Sequence, residues 1–177
     1  MTFLPLCEKR QIKLQNCVFR LELEINTKRL LKNVKLNKSL NCYKLRLEAA
    51  TVQISLTSKC AMCFVKKSCV IPDVEKYALI IKNSRLVTSV YKYKLLSKIV
   101  NMNTFYSLRR KVTKCVSFEP ELFPCLTLKC FEVTIRIFNS GSVVYLGIKQ
   151  EQQLIKAHKF LSDLYIDYCI STNFENI

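Results

Sequence analysis

The chain has 177 residues, half of them apolar, and carries 29 Lys and Arg against 13 Asp and Glu, a net charge of +16 at neutral pH. That is enough apolar material for a real core in one domain or two small halves, and it excludes a disordered chain. No run of 18 apolar residues exists and Glu8 arrives too early for a signal-peptide core, so a membrane partner is excluded and an intracellular protein is expected. The basic residues are spread along the chain, a pattern that fits a polyanion-binding surface on a folded body, although a basic soluble protein without a nucleic-acid partner has the same composition.

The predicted elements follow in order. An apolar-rich strand covers about residues 11–25, and Thr27–Lys32 is compatible with a helix. Period-two alternation then places Tyr43, Leu45 and Leu47 opposite Lys44 and Arg46, and Val52 and Ile54 opposite Gln53 and Ser55. Pro72 and Asp73 open a predicted helix with Val74, Ala78 and Ile81 as its stripe. A second apolar-rich strand is expected over about 90–102. Leu126, Leu128 and Cys130, then Val133, Ile135 and Ile137 against Thr134, Arg136 and Phe138, read as two more strands. A turn at Asn139–Ser142 leads into Val143–Gly147, and Glu151 to about Tyr165 reads as a helix with Leu154, Ala157, Leu161 and Leu164 at helical spacing.

The order of elements in the first half recurs in the second. Leu40 aligns with Phe123, Lys66 with Lys149 and Lys76-Tyr77 with Lys159-Phe160, all at an offset of 83, so residues 40–77 align without a gap. Before them, Lys13-Leu14-Gln15-Asn16 aligns with Lys94-Leu95-Leu96-Ser97 at an offset of 81. Runs of strands closed by helices predict an antiparallel α+β fold with helices on one face and the other sheet face open, built from two repeats at 1–88 and 89–177.

The ten cysteines sit mostly among Leu, Val and Phe, as reduced packing thiols do. Cys60-Ala-Met-Cys63 is a single CxxC followed by Cys69. A zinc knuckle needs a second pair and usually His, so neither metal nor cofactor is expected. The chain's one His, His158, is expected to be a partly exposed helix residue, and two glycines leave no room for a phosphate-binding loop, so an enzyme is not expected.

The stretch Ser117–Leu126, SFEPELFPCL, holds two of the four prolines, one on either side of Phe123, and two acidic residues, Glu119 and Glu121, before it. Phe118-Glu119-Pro120-Glu121-Leu122-Phe123-Pro124, with Ile137-Phe138-Asn139-Ser140-Gly141-Ser142-Val143-Val144 and Leu146-Gly147-Ile148-Lys149, resembles the second repeat of the TATA-binding protein core. Leu14-Gln15-Asn16 looks like the first strand of the same family. The resemblance implies a pseudo-two-fold saddle, one curved antiparallel sheet with helices on the convex face, that binds the minor groove of A/T-rich promoter DNA and nucleates a pre-initiation complex with a transcription factor IIB-like protein and RNA polymerase machinery. It places the protein in the nucleus, or at the site of viral transcription. The Asn, Lys and Ile richness and the departures from a slowly varying family point to a fast-evolving source such as a large DNA virus or a parasite.

By the same resemblance Phe123 and Phe138 are the wedges of the second repeat, and Leu40 and Ser55 stand at the wedge positions of the first. Phe138 alternates out of phase with Val133, Ile135 and Ile137, which argues against a core position. A one-residue slip that made Leu56 the wedge would move Val52 and Ile54 off the packed face. Asn16 and Ser97 fall at the paired amide readers, and Val18, Ile99, Val144 and Leu146 form an apolar floor. Arg46, Lys59 and Lys129 match phosphate-contacting positions, whereas Ser142 replaces the second-repeat counterpart of Lys59. Arg136 puts a cation beside Phe138, and Glu119 and Glu121 match positions that contact the factor IIB-like partner. Retained Phe123 and Phe138 favour DNA binding. Leu40 and Ser55 favour an alternative, a saddle-fold interaction adaptor of the transcription machinery with weak or no DNA binding. A third possibility, an accessory domain of a nucleic-acid enzyme, has no catalytic residues here.

Overall fold

Alternation makes the first long strand: Cys17, Phe19, Leu21 and Leu23 are buried while Asn16, Arg20, Glu22 and Glu24 are exposed, so β1 (Lys13–Ile25) has one dry face and one wet face. The computed structural model describes residues 12–25, 35–37, 42–55, 58, 60–77, 79–110 and 116–174. The expected helix at 27–32 and the positions Leu40 and Lys59 lie outside them. After β1 come β2 (Lys35–Asn37), β3 (Cys42–Arg46), β4 (Ala50–Ser55), β5 (Cys60–Lys66), a 3-10 turn at Glu75–Tyr77 and β6 (Leu79–Lys94). They are followed by α1 (Met102–Arg110), β7 (Val116–Phe118), β8 (Cys125–Cys130), β9 (Val133–Phe138), β10 (Ser142–Ile148) and α2 (Glu151–Phe174).

The chain separates into two compact units, Leu14–Ser89 and Val90–Ile177 with the residues up to Lys13, and β6 runs from one into the other. Strands adjoin in the order β2-β3-β4-β5-β1-β6 in the first unit and β6-β10-β9-β8-β7 in the second. The antiparallel registers agree at one end. Tyr43 pairs with Ile54 and Leu126 with Ile137, each residue 83 positions from its counterpart. Beyond that hairpin the agreement slips by one: Ile54 pairs with Ala61 but Ile137 pairs with Val143. The gapless alignment of residues 40–77 is thus corrected, because the β9–β10 connection is one residue shorter than the β4–β5 connection.

Two further expectations change. The helix expected at Pro72 is only the turn Glu75–Tyr77, and Ile81 belongs to β6. From the expected start at Pro72, β6 takes over the chain within seven residues, at Leu79. The strand expected over 90–102 ends at Lys94, and Met102 opens α1. Asn101 caps that helix: its side-chain oxygen accepts the N–H of Asn103 at 3.0 Å and of Thr104 at 3.1 Å.

In the second unit, α2 buries Leu154, Ala157, Leu161, Leu164, Tyr165 and Tyr168 against the inner residues of β8, β9 and β10. It extends past the predicted end at Tyr165, since the Tyr168 hydroxyl accepts the Asn101 N–H at 3.1 Å and its ring meets Phe105 at 5.3 Å. Gln153 reaches back to accept the N–H groups of Lys149 and Gln150, closing the start of the helix. The first unit has its own core of Cys17, Phe19, Leu21, Val52, Ile54, Cys63 and Val65, over which Ile71, Val74 and Tyr77 pack.

Candidate nucleic-acid interface

In the second unit, Leu126, Leu128, Val133, Ile135, Ile137, Val143 and Tyr145 turn inward. The alternate residues Thr127, Lys129, Thr134, Arg136, Phe138, Val144 and Leu146 therefore lie on the opposite, open face of β8, β9 and β10. Phe138 ends β9 paired with Cys125, and Arg136 pairs with Thr127 on one side and Val144 on the other. Phe123 enters this face from the turn before β8. The Glu119 carbonyl accepts the N–H of Leu122 at 3.0 Å and of Phe123 at 2.9 Å, and the Phe123 carbonyl accepts the N–H of Cys125 at 2.7 Å. The turn is closed by hydrogen bonds, and Pro120 and Pro124 stiffen it. Phe123, 46% exposed, meets Phe138 edge-on with ring centroids 6.1 Å apart, and the Arg136 guanidinium carbon stands 5.2 Å from the Phe123 centroid. An aromatic pair braced by a cation stays rigid while remaining available to a flat ligand. Glu119 and Glu121 are exposed on the outside of this turn beside Leu122, itself 79% exposed.

The first unit presents a different face. Asn16 pairs with Lys66, Val18 with Phe64 and Arg20 with Met62, and Phe64 and Met62 pair onward with Thr51 and Gln53. Asn16, Arg20, Phe64, Lys66 and Arg46 are exposed, and Val18 is half-buried. Ser55 ends β4 paired with Cys60, in the register at which Phe138 ends β9. With no aromatic ring at Ser55, the surface there is an open depression of about 400 Å3 lined by Arg20, Cys42, Gln53, Ser55, Cys60 and Met62.

One predicted floor position, Ile99, and one predicted reader position, Ser97, fail. Ile99 is 2% exposed and belongs to the second unit's core. Ser97 lies past the end of β6, with its N–H and hydroxyl on the Tyr165 hydroxyl. The chain leaves the strand because Leu95 and Ile99, four apart, both turn into the core. Their N–H groups bond the carbonyls of Gly141 and Asn139 at 2.9 and 3.0 Å. Gly141 is required there: it has φ +79, and a Cβ would lie 2.5 Å from the Ser97 carbonyl oxygen. The residue that sequence reasoning missed is Asn83. It is exposed near the start of β6 behind Ile81-Lys82, as Asn16 is near the start of β1 behind Leu14-Gln15, with Leu14 and Ile81 both packed on the first unit's core. The signal was the repeated apolar-polar-Asn triplet.

His158 is also corrected. It is buried, its Nδ1 lies 2.5 Å from the Tyr145 hydroxyl and its ring meets Tyr93 edge-on; burial holds its pKa below the ordinary imidazole value. Cys60 and Cys63, three apart in β5, fall on opposite faces, which separates the two sulfurs of the CxxC.

Residues 88–165 match the family model described as transcription factor TFIID (or TATA-binding protein, TBP). Among solved structures, Methanococcus jannaschii TBP is similar with a TM-score of 0.66 at 20% identity, over 89% of this chain and 99% of that one. Among curated proteins none matches. The family match begins inside β6 and ends inside α2.

Proposed function

We propose, for a chain that carries a divergent core of the TATA-binding protein family, that it recognises A/T-rich promoter DNA through the open sheet face, wedges and bends the minor groove, and seeds assembly of a transcription complex. The observation that carries this reading is the aromatic pair Phe123 and Phe138 on the open face, with Arg136 braced against Phe123. Apolar wedges between base steps unstack and kink DNA, and the arginine adds a cation suited to a narrow minor groove. Arg46 and Lys129 supply phosphate contacts, Asn16 and Asn83 the amide readers, and Val18, Val144 and Leu146 an apolar floor that tolerates bases without the guanine amino group. In this reading the two units are pseudo-symmetric halves of one saddle, with helices on its convex face. The exposed turn bearing Glu119, Leu122 and Glu121 suits a basic, partly apolar partner of the factor IIB-like kind that in turn recruits polymerase.

Ser55 favours a second reading. A serine cannot wedge a base step, so an adaptor that keeps the fold and binds DNA weakly fits the face of the first unit. Gel-shift titration of an A/T-rich and a G/C-rich duplex over a salt series separates the two. The DNA-binding reading predicts tighter A/T binding that weakens steeply with salt, and equal weak binding to both duplexes would favour the adaptor.

A further inference from the structure

We propose that Cys17 and Cys69 are an oxidisable pair that closes an intramolecular disulfide across the back of the first unit. Their sulfurs lie 2.6 Å apart although the residues are 52 positions apart in sequence. A disulfide bond is about 2.05 Å long, so closure needs a movement of only about half an ångström. Two backbone contacts hold the loop in place. The Lys67 N–H bonds the Gln15 carbonyl at 2.8 Å, and Asn16 pairs with Lys66, so the loop that carries Cys69 is fastened to β1 beside Cys17. Lys67 turns the chain with φ +53, and the Ser68 hydroxyl accepts the Val70 N–H at 3.0 Å.

The roles of the two sulfurs follow from their surroundings. Cys69 is exposed and Cys17 is fully buried on the inner face of β1. Burial, with Cys69 alongside, pushes the Cys17 thiol up to about 12, so Cys17 is a poor first nucleophile. With hydrogen peroxide as the oxidant, the Cys69 thiolate attacks one oxygen, the O–O bond breaks, and Cys69 becomes a sulfenic acid as hydroxide departs. The Cys17 sulfur then forms the S–S bond while the S–O bond of Cys69 breaks. The Cys17 proton leaves with the departing oxygen as water, and the two electrons lost by the two sulfurs reduce the peroxide to two waters.

The place of the bond gives it a purpose. In the second unit β10 is followed by the long helix Glu151–Phe174, whereas in the first unit β5 is followed by a loop and the short turn Glu75–Tyr77. A covalent tie from β1 to that loop fastens the cover that Ile71, Val74 and Tyr77 place over the core, and restricts the unfolded chain across a long loop. This inference does not depend on DNA binding.

The test uses the full chain, treated with a small excess of hydrogen peroxide, then denatured and alkylated, digested with trypsin and analysed by mass spectrometry without reduction. The expected product joins the peptides Leu14–Arg20 and Ser68–Lys76 with loss of two hydrogens, and it separates on addition of dithiothreitol. The oxidised chain should melt about 5 °C or more above the reduced chain. Cys69→Ser, a change at an exposed side chain, should melt with the reduced protein and lose both responses. Cys17 still open to alkylation while Cys69 carries a sulfinic acid or joins another cysteine would overturn the proposal, as would equal melting of the two redox forms. The peptide map of the unmodified sequence decides the matter even if a variant fails to fold.

Discussion

Phe123 reaches Phe138 from a different element, a turn meeting the last residue of a strand, and the two rings touch edge to face at 6.1 Å with Arg136 over the outer one. Each ring therefore depends on the other for its orientation. Phe123→Ala and Phe138→Ala should each weaken binding to an A/T-rich duplex at least tenfold, and the double variant should lose less than the product of the two. A coupling of about 0.5–1.5 kcal/mol is expected from a double-mutant cycle measured by fluorescence anisotropy. Strict additivity would mean that the rings act separately.

The corrected ends of β6 give a second test. Ile99→Ala should cost about 2–4 kcal/mol of folding stability in urea titration, because the side chain is buried in the second unit's core. Asn83→Ala, at an exposed strand position, should leave stability nearly unchanged and weaken A/T-rich binding several-fold. A stable Ile99→Ala protein with impaired DNA binding would restore the floor position that the fold denies.

His158 makes stability depend on pH. Its burial lowers the pKa in the folded chain, so below the ordinary value of about 6.5 the unfolded chain takes up a proton that the folded chain refuses. The stabilising contribution is intact above pH 6.5 and is lost as the pH falls from there towards the depressed folded pKa. Denaturation midpoints between pH 7.5 and 5 should fall more steeply for the natural sequence than for His158→Gln, by up to about 1.4 kcal/mol per pH unit. Parallel curves would show that the imidazole takes up its proton alike in the folded and unfolded chains.

Glu119→Arg together with Glu121→Arg should leave A/T-rich DNA binding intact or slightly tighter, because both carboxylates are exposed on the outer side of the turn. The same change should abolish capture of a factor IIB-like protein on promoter DNA in a pull-down. Retained capture would assign the acidic pair to solvent alone.

Much of the second unit was legible in sequence. Alternation separated Val133, Ile135 and Ile137 from Arg136 and Phe138, and the prolines around Phe123 marked a rigid turn, because period-two burial and fixed φ act locally. The first strand of that unit was misplaced because Lys94-Leu95-Leu96-Ser97 imitates the start of β1 one residue at a time. What decides its fate is non-local: the hairpin tip at Asn139 and Gly141 takes the N–H groups of Ile99 and Leu95. The helix expected at Pro72 failed for a related reason. Capping residues favour a helix start but cannot supply length, and β6 claims the chain from Leu79. His158 looked exposed beside Lys159, since one-residue context hides the Tyr145 hydroxyl that faces it from β10.

The central claim is that the aromatic wedge of the second unit kinks A/T-rich DNA while Ser55 of the first unit does not. Fluorescence energy transfer across duplexes labelled to report each half-site separately measures this directly. The account predicts a strong kink at the Phe123 and Phe138 end and a weak one at the Ser55 end, with the strong kink lost in Phe138→Ala and a second kink gained in Ser55→Phe. Equal kinks at both ends of the natural complex, or an unbent duplex at saturating protein, would contradict it.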